Sequence, residues 1–164
     1  MDRPQTINAF RRALHRLLMS PALSPLLARI LHRADGLVLR LNGGRFTITS
    51  AVAGLPTILL TTTGAKSGLP RSTPIACVPD EGKYALIASN FGQPHFPSWY
   101  HNLKNNAECL VRVGNRIRTF VAREIHGVEY DHYWNMAVDI YAGYAAYKER
   151  AHRRIPVMLL EPKK

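Results

Sequence analysis

Leu59-Leu60-Thr61-Thr62-Thr63-Gly64-Ala65-Lys66-Ser67-Gly68-Leu69-Pro70-Arg71 decides how this chain reads. An apolar, threonine-rich run with high β propensity stops at a turn flanked by Gly64 and Gly68, and a second strand-like run follows. Lys66, Ser67 and Arg71 sit at or just beyond that turn. Two glycines let backbone N–H groups point inward, and such a concavity binds anions. An ammonium, a hydroxyl and a guanidinium beside it suit a phosphate or carboxylate. Glycine-flanked hairpin loops carrying a lysine are also common as plain turns, so both readings stand at this level. The stretch is not a Walker loop, because Ala65 precedes Lys66 where that motif requires glycine.

The surrounding chain reads as β. Strands are expected over Pro56–Thr63, Ser72–Val78 and Lys83–Ser89, with a turn at Pro79-Asp80-Glu81-Gly82. Glu108–Val113 and Arg116–Ile125 flank Gly114-Asn115, a two-residue hairpin signal of type II′. Apolar and arginine residues alternate there, which leaves one face wet. Asn90–Pro97 is an irregular loop rich in Gly and Pro, and Ser98 is placed as the N-cap of a helix from Trp99 to about Asn105. One longer helix is expected from about Glu129 to Arg150, then the basic run His152-Arg153-Arg154 and a last strand, Ile155–Leu160. Ahead of all this, residues 5–19 and Leu26–Leu41 read as amphipathic helices bearing several arginines, ended by Asn42-Gly43-Gly44. Residues 1–44 are thus an N-terminal helical segment, and 45–164 one domain. Five or six strands without βαβ alternation imply an α+β or mainly β fold, a small antiparallel barrel or sheet.

The 164 residues fit one domain, and 46% hydrophobic content supplies a core. A formal charge of +11 favours anionic partners: nucleic acid, anionic lipid or a polyanionic cofactor. The arginines of the first helices ride beside a full apolar face, which suits docking on the domain or lying on a membrane surface as well as it suits nucleic acid. Cys77 and Cys109 fall in apolar strand runs, as buried free thiols in a reducing, cytoplasmic compartment do. No apolar run reaches 18 residues, and no uninterrupted secretion-signal core is expected. The seven histidines lack zinc-like spacing with the cysteines, so no metal is expected.

Two further constellations carry chemistry. Ser98-Trp99-Tyr100-His101-Asn102 opens a helix whose free N–H groups favour an anion, although Trp99 and Tyr100 equally serve as core anchors. Tyr141, Tyr144 and Tyr147 recur every three residues on one helix face. Such a stripe is either core or the wall of a pocket for a flat ligand, since buried phenols need partners.

Together with Ala88-Ser89-Asn90, Pro97 through Asn106, and the tyrosines ahead of Arg154-Ile155-Pro156, the opening stretch resembles the deazaflavin-dependent nitroreductase family, whose members are also described as coenzyme F420-dependent quinone reductases. The resemblance spans roughly residues 45–162 and implies a split β-barrel. It implies hydride transfer from C5 of the reduced deazaflavin to a quinone, enone or activated nitroaromatic. Carried over by position, Ala65, Lys66, Ser67, Arg71, Ser72, Thr73 and Pro74 would hold the coenzyme's polar tail and ring edge. Ile87, Ala88, Ser89 and Asn90 would line the ring, and Ser98, Trp99, Tyr100, His101 and Asn102 would contact it from the helix. Tyr144, with Tyr141 and Tyr147, would shape the acceptor side, a tyrosine, Ser89 or water supplying the proton. Family members often carry a basic residue where Ala65 and Asn90 stand, and glycine where Phe91 stands. That departure leaves two rivals: FMN as a less favoured cofactor, and a non-catalytic deazaflavin- or FMN-binding protein on the same barrel. It also leaves the acceptor and the oligomeric state open. A peripheral position on the inner face of the cell membrane, through residues 5–41, is the expected alternative to a purely cytoplasmic one.

Overall fold

The computed structural model describes residues 55–164. The expected helices over residues 5–19 and 26–41, and the turn at 42–44, lie outside the described residues. The remainder is a curled, seven-stranded antiparallel half-barrel with three helices. The strands are β1 (Thr57–Thr63), β2 (Pro70–Ala76), β3 (Val78–Asp80), β4 (Lys83–Ile87), β5 (Glu108–Val113), β6 (Arg116–Ile125) and β7 (Val157–Pro162). Their order across the sheet is β2-β1-β5-β6-β7-β4-β3. The sheet curls far enough for β2 to approach β4. Among the described residues its edge strands are β2 and β3, and each carries proline, Pro70 and Pro74 on β2 and Pro79 on β3, a residue with no N–H to offer a further strand.

The hairpin signals hold. Gly114-Asn115 joins β5 to β6 with Val113 opposite Arg116, and only Gly114 has positive φ, as a type II′ turn requires. The Ser72–Val78 run, by contrast, is two strands. Cys77 N–H donates to Pro56 O (2.9 Å), the last bond in the β1–β2 register, and Val78–Asp80 then pairs with β4.

The core has two compartments. Inside the curl, Ile58 and Leu60 of β1, Cys109 and Val111 of β5, and Phe120 and Ala122 of β6 meet Trp99, Tyr100 and Leu103 of helix α1 (Ser98–Asn105). Outside it, Ala85 and Ile87 of β4 with Val157 and Leu159 of β7 are covered by helices α2 (Gly127–Ile140) and α3 (Gly143–Ala151). β4 and β7 are therefore buried on both faces, with Leu86, Met158 and Leu160 pointing into the curl. Each fully buried side chain of this kind is worth roughly 1.5–3 kcal/mol.

The structure corrects two expected helix features. Ser98 is the first helical residue of α1 and Pro97, extended at φ −68, occupies the cap without a side-chain bond. The single helix from Glu129 to Arg150 is two helices, interrupted at Tyr141, whose backbone is extended (φ −149, ψ 100). The break folds the Tyr141 ring over the start of α3. Only glycine fits beneath it, since a Cβ on Gly143 would lie 2.2 Å from Tyr141 Cε1.

Gly143→Ala is expected to displace that ring and cost about 1–3 kcal/mol of stability by overpacking. Urea denaturation checks this, and an unchanged midpoint would show that the ring has room to yield.

Candidate functional site

The β1–β2 turn is built by its own backbone. Gly64 N–H donates to Leu69 O (2.9 Å) and Gly68 N–H to Gly64 O (2.8 Å). Leu69 N–H donates to Ser67 Oγ (3.3 Å), and Ala65 N–H to Asn102 Oδ1 (2.9 Å). The anion-binding concavity is therefore smaller than the glycine spacing implies: Lys66 and Ser67 N–H are the turn amides without a hydrogen bond among the described residues. The Lys66 ammonium is exposed and has no ion pair among the described residues, while Arg71 Nη2 reaches only Ser67 Oγ, at 3.4 Å. No Asp or Glu occurs between positions 36 and 79, so this stretch of chain brings the turn no negative charge. Ser72 Oγ pairs with Thr61 Oγ1 across the ladder at 2.8 Å, and Thr73 and Pro74 are half-buried further along β2.

Helix α1 ties this turn to the barrel. Asn102 is buried, and while its carbonyl holds Ala65 its amide donates to Thr62 Oγ1 (2.9 Å). Both ends of that side chain are engaged internally, so Asn102 fixes the turn rather than presenting a free polar group. Trp99 and Tyr100 are core anchors, as the bland reading has it. Tyr100 donates to Glu124 Oε2 (3.0 Å), and burial first, then that bond, pushes its phenol up to about 12. Ser98 and His101 are exposed on the same helix.

The second half of the site follows β4. Ile87, Ala88 and Ser89 are buried, and Ser89 opens a 3-10 turn, Asn90–Gly92, in which Asn90 (φ 48) and Phe91 (φ 57) are left-handed. Two consecutive non-glycine residues in that region cost of order 1–3 kcal/mol each, and strain of this size is kept where the surroundings over-determine it. The turn abuts α3 so closely that a Cβ on Gly92 would lie 3.1 Å from Arg150 Cβ and 3.3 Å from Tyr147 Cα. Phe91 packs edge-on against Tyr147 at 6.2 Å.

Tyr141, Tyr144 and Tyr147 do converge, though from a helix break and a helix rather than one face. Their ring centroids lie 5.5–6.1 Å apart, and the Tyr141 and Tyr147 hydroxyls meet at 3.3 Å. All three are buried, and desolvation raises Tyr144 and Tyr147 well above the ordinary phenol value. Burial likewise pushes the free thiols of Cys77 and Cys109 up to about 12, so neither is a thiolate nucleophile at neutral pH.

Phe96 and Arg153 are site residues that sequence reading missed. Phe96 packs at a tilt against Tyr100 (4.9 Å) and edge-on against His101 (5.9 Å), joining the loop after β4 to α1 and hence to the β1–β2 turn. Arg153 lay unremarked in a basic run, and no periodicity marks it. Its guanidinium lies 4.3 Å over Phe96.

A family model described as F420H(2)-dependent quinone reductase matches residues 31–162, most of the chain. This chain belongs to that family. Reduced coenzyme F420 is accordingly its hydride source and a reductase its activity. An F420H(2)-dependent quinone reductase of Mycobacterium tuberculosis is 37% identical over 108 residues, 64% of this chain and 72% of the relative. A solved F420-H2 dependent reductase, FDR-A, is 45% identical over 65% of this chain and 94% of its own, with a TM-score of 0.60. A solved structure described as a domain-swapped dimer is 37% identical, covering 87% of this chain and 100% of its own, with a TM-score of 0.62.

Two outcomes are expected. Asn102→Ala should cost about 1–3 kcal/mol, because the buried Thr62 Oγ1 loses its hydrogen-bond partner and the turn its tie at Ala65 N–H; equilibrium unfolding measures it. In an alkaline titration followed at 295 nm, Tyr144 and Tyr147 should ionise only as the fold opens. Their folded pKa is raised, so the stability they confer is full below the ordinary phenol value of 10.0 and declines above it. A smooth single transition of all seven tyrosines near that value would contradict their burial.

Proposed function

We propose that this F420H2-dependent reductase passes its hydride to a quinone-like acceptor bound against the Ser89–Phe91 turn, with the tyrosine cluster packed behind that turn. The observation that carries the reading is an exposed cationic turn, Lys66 with Arg71, joined through α1 to a strained turn beside three phenols. The residues suit the coenzyme: a polyanionic tail fits uncompensated cations and the open Lys66 and Ser67 N–H groups. When bound, the coenzyme supplies the hydride from C5 of its reduced ring. Ala65–Ser67 and Arg71–Pro74 are assigned to the tail and ring edge, and Ile87–Asn90 to the ring. Ser98 and His101 are assigned to direct contact from α1, with Trp99, Tyr100 and Asn102 supporting from behind.

Burial keeps the Tyr144 and Tyr147 phenols protonated at neutral pH, so these two serve as hydrogen-bond donors toward the oxygen that gains charge as a quinone is reduced. The reduced acceptor takes its proton from a tyrosine hydroxyl, Ser89 or water. Enones and activated nitroaromatics present a comparable electron-poor centre and belong in the same acceptor panel. Among the described residues no helix is long and apolar enough to cross a membrane. With a charge of +11, peripheral contact with anionic lipid would bring the protein to lipophilic quinones. Liposome co-sedimentation unaffected by deleting residues 1–41 would remove that segment from the contact.

Fluorescence titration with oxidised F420, FMN run in parallel, tests the site. Lys66→Glu is expected to weaken F420 binding on the order of tenfold, about 1.4 kcal/mol, and the loss should shrink as salt rises. An unchanged affinity would take Lys66 out of the tail site.

A further inference from the structure

Arg153 contacts more backbone carbonyls than its place in a basic surface run would lead one to expect. Nε donates to Gln93 O (3.1 Å), and Nη2 to Ala88 O (3.2 Å), Ser89 O (3.3 Å) and His95 O (3.2 Å). Nη1 donates to Arg154 O (3.1 Å), and the guanidinium plane covers Phe96. Four of these carbonyls bracket the two left-handed residues Asn90 and Phe91 on both sides. Within the turn, Gly92 N–H donates to Ser89 O (2.9 Å), Gln93 N–H to Asn90 O (3.1 Å) and Asn90 Nδ2 to His95 O (3.1 Å), while from α3 Arg150 Nη1 adds one long bond to Phe91 O (3.5 Å); Arg153 makes four bonds to the same loop. The reach is a consequence of register. Ile87 pairs with Val157 and Ala88 N–H donates to Pro156 O, so the exit of β4 and the entry of β7 are neighbours. His152, left-handed at φ 48, ends α3 and delivers Arg153 to the loop.

We infer that Arg153 is the positioning residue that holds the Ala88–His95 loop in its strained form and so sets the geometry that Ala88, Ser89 and Asn90 offer the deazaflavin ring. The inference rests on the coenzyme site proposed above. Its chemistry is specific to arginine. The planar fork carries five donors in fixed directions, whereas a lysine ammonium is a compact point charge that cannot span the same carbonyls. A purely electrostatic role toward the polyanionic tail would tolerate lysine; a clamp would not.

The test compares wild type, Arg153→Ala and Arg153→Lys, each checked for folding by circular dichroism. Hydrogen exchange of the Ser89–Gln93 amides is measured without coenzyme, and F420 affinity by fluorescence titration. In both variants the Gly92 and Gln93 amides are expected to exchange on the order of tenfold faster, because local opening no longer breaks the clamp. F420 affinity should fall in both by about tenfold, with no dependence of that ratio on salt. If Arg153→Ala does not fold, Arg153→Lys decides alone. Wild-type behaviour of Arg153→Lys in exchange and affinity would overturn the clamp. Faster exchange with unchanged affinity would overturn the link to the coenzyme while leaving the coenzyme site intact. Failure of the wild-type chain itself to bind F420 would overturn the proposed site, and the positioning role with it.

Discussion

The pairing of β4 with β7 is the constraint on which the rest depends. Both strands are buried on both faces, so neither can slip by one residue without exchanging the contents of two compartments. Leu86, Met158 and Leu160 belong to the interior of the curl, and Ile87, Val157 and Leu159 to the layer beneath α2 and α3. A fixed register also fixes what leaves the strand ends. The Ala88–His95 loop and the Arg153–Pro156 segment emerge side by side from the Ile87–Val157 pair, and that adjacency creates the carbonyl clamp.

The candidate site is held from behind by buried polar groups and aromatic rings, while its charged groups face outward. Asn102 spends its whole amide on Thr62 and Ala65, and Tyr100 spends its hydroxyl on Glu124. Such groups give geometry rather than contact, which is how a site keeps its shape without the ligand. Lys66 is exposed and without an ion pair among the described residues, whereas the weak hydration of a guanidinium lets Arg153 serve inside the scaffold. α1 couples the halves, through Phe96 on one side and Asn102 on the other.

Features that rest on neighbouring residues were legible in the sequence. The run from Leu59 to Arg71 reads as strand, turn and strand, and Gly114-Asn115 as a hairpin, because φ preferences and alternation are local. The tyrosines were legible as a group but not in their arrangement. Helical spacing put them on one face, whereas Tyr141 leaves the helix and folds back over Gly143. The cost of that break is offset by packing against Tyr144 and Tyr147, which lie in the same short window but whose arrangement helical spacing does not give. Ser98 shows the same limit on a smaller scale: a favourable cap residue stands one position inside a helix that Pro97 begins.

By itself the sequence determined where most of the strands and their hairpins lie, the cationic turn and, through ordered motifs, the resemblance to deazaflavin reductases. These depend on residue type and spacing along the chain. Only the tertiary structure decided that most turn amides are already satisfied, that Asn102 supports the site from within, and that Arg153 grips the loop some 60 residues before it. The Asn102 and Arg153 contacts join distant segments, fixed by strand register and the limited space around a curled sheet, and a linear pattern carries no signal for them; the bonds within the turn are local but follow from a turn geometry that residue type alone leaves open.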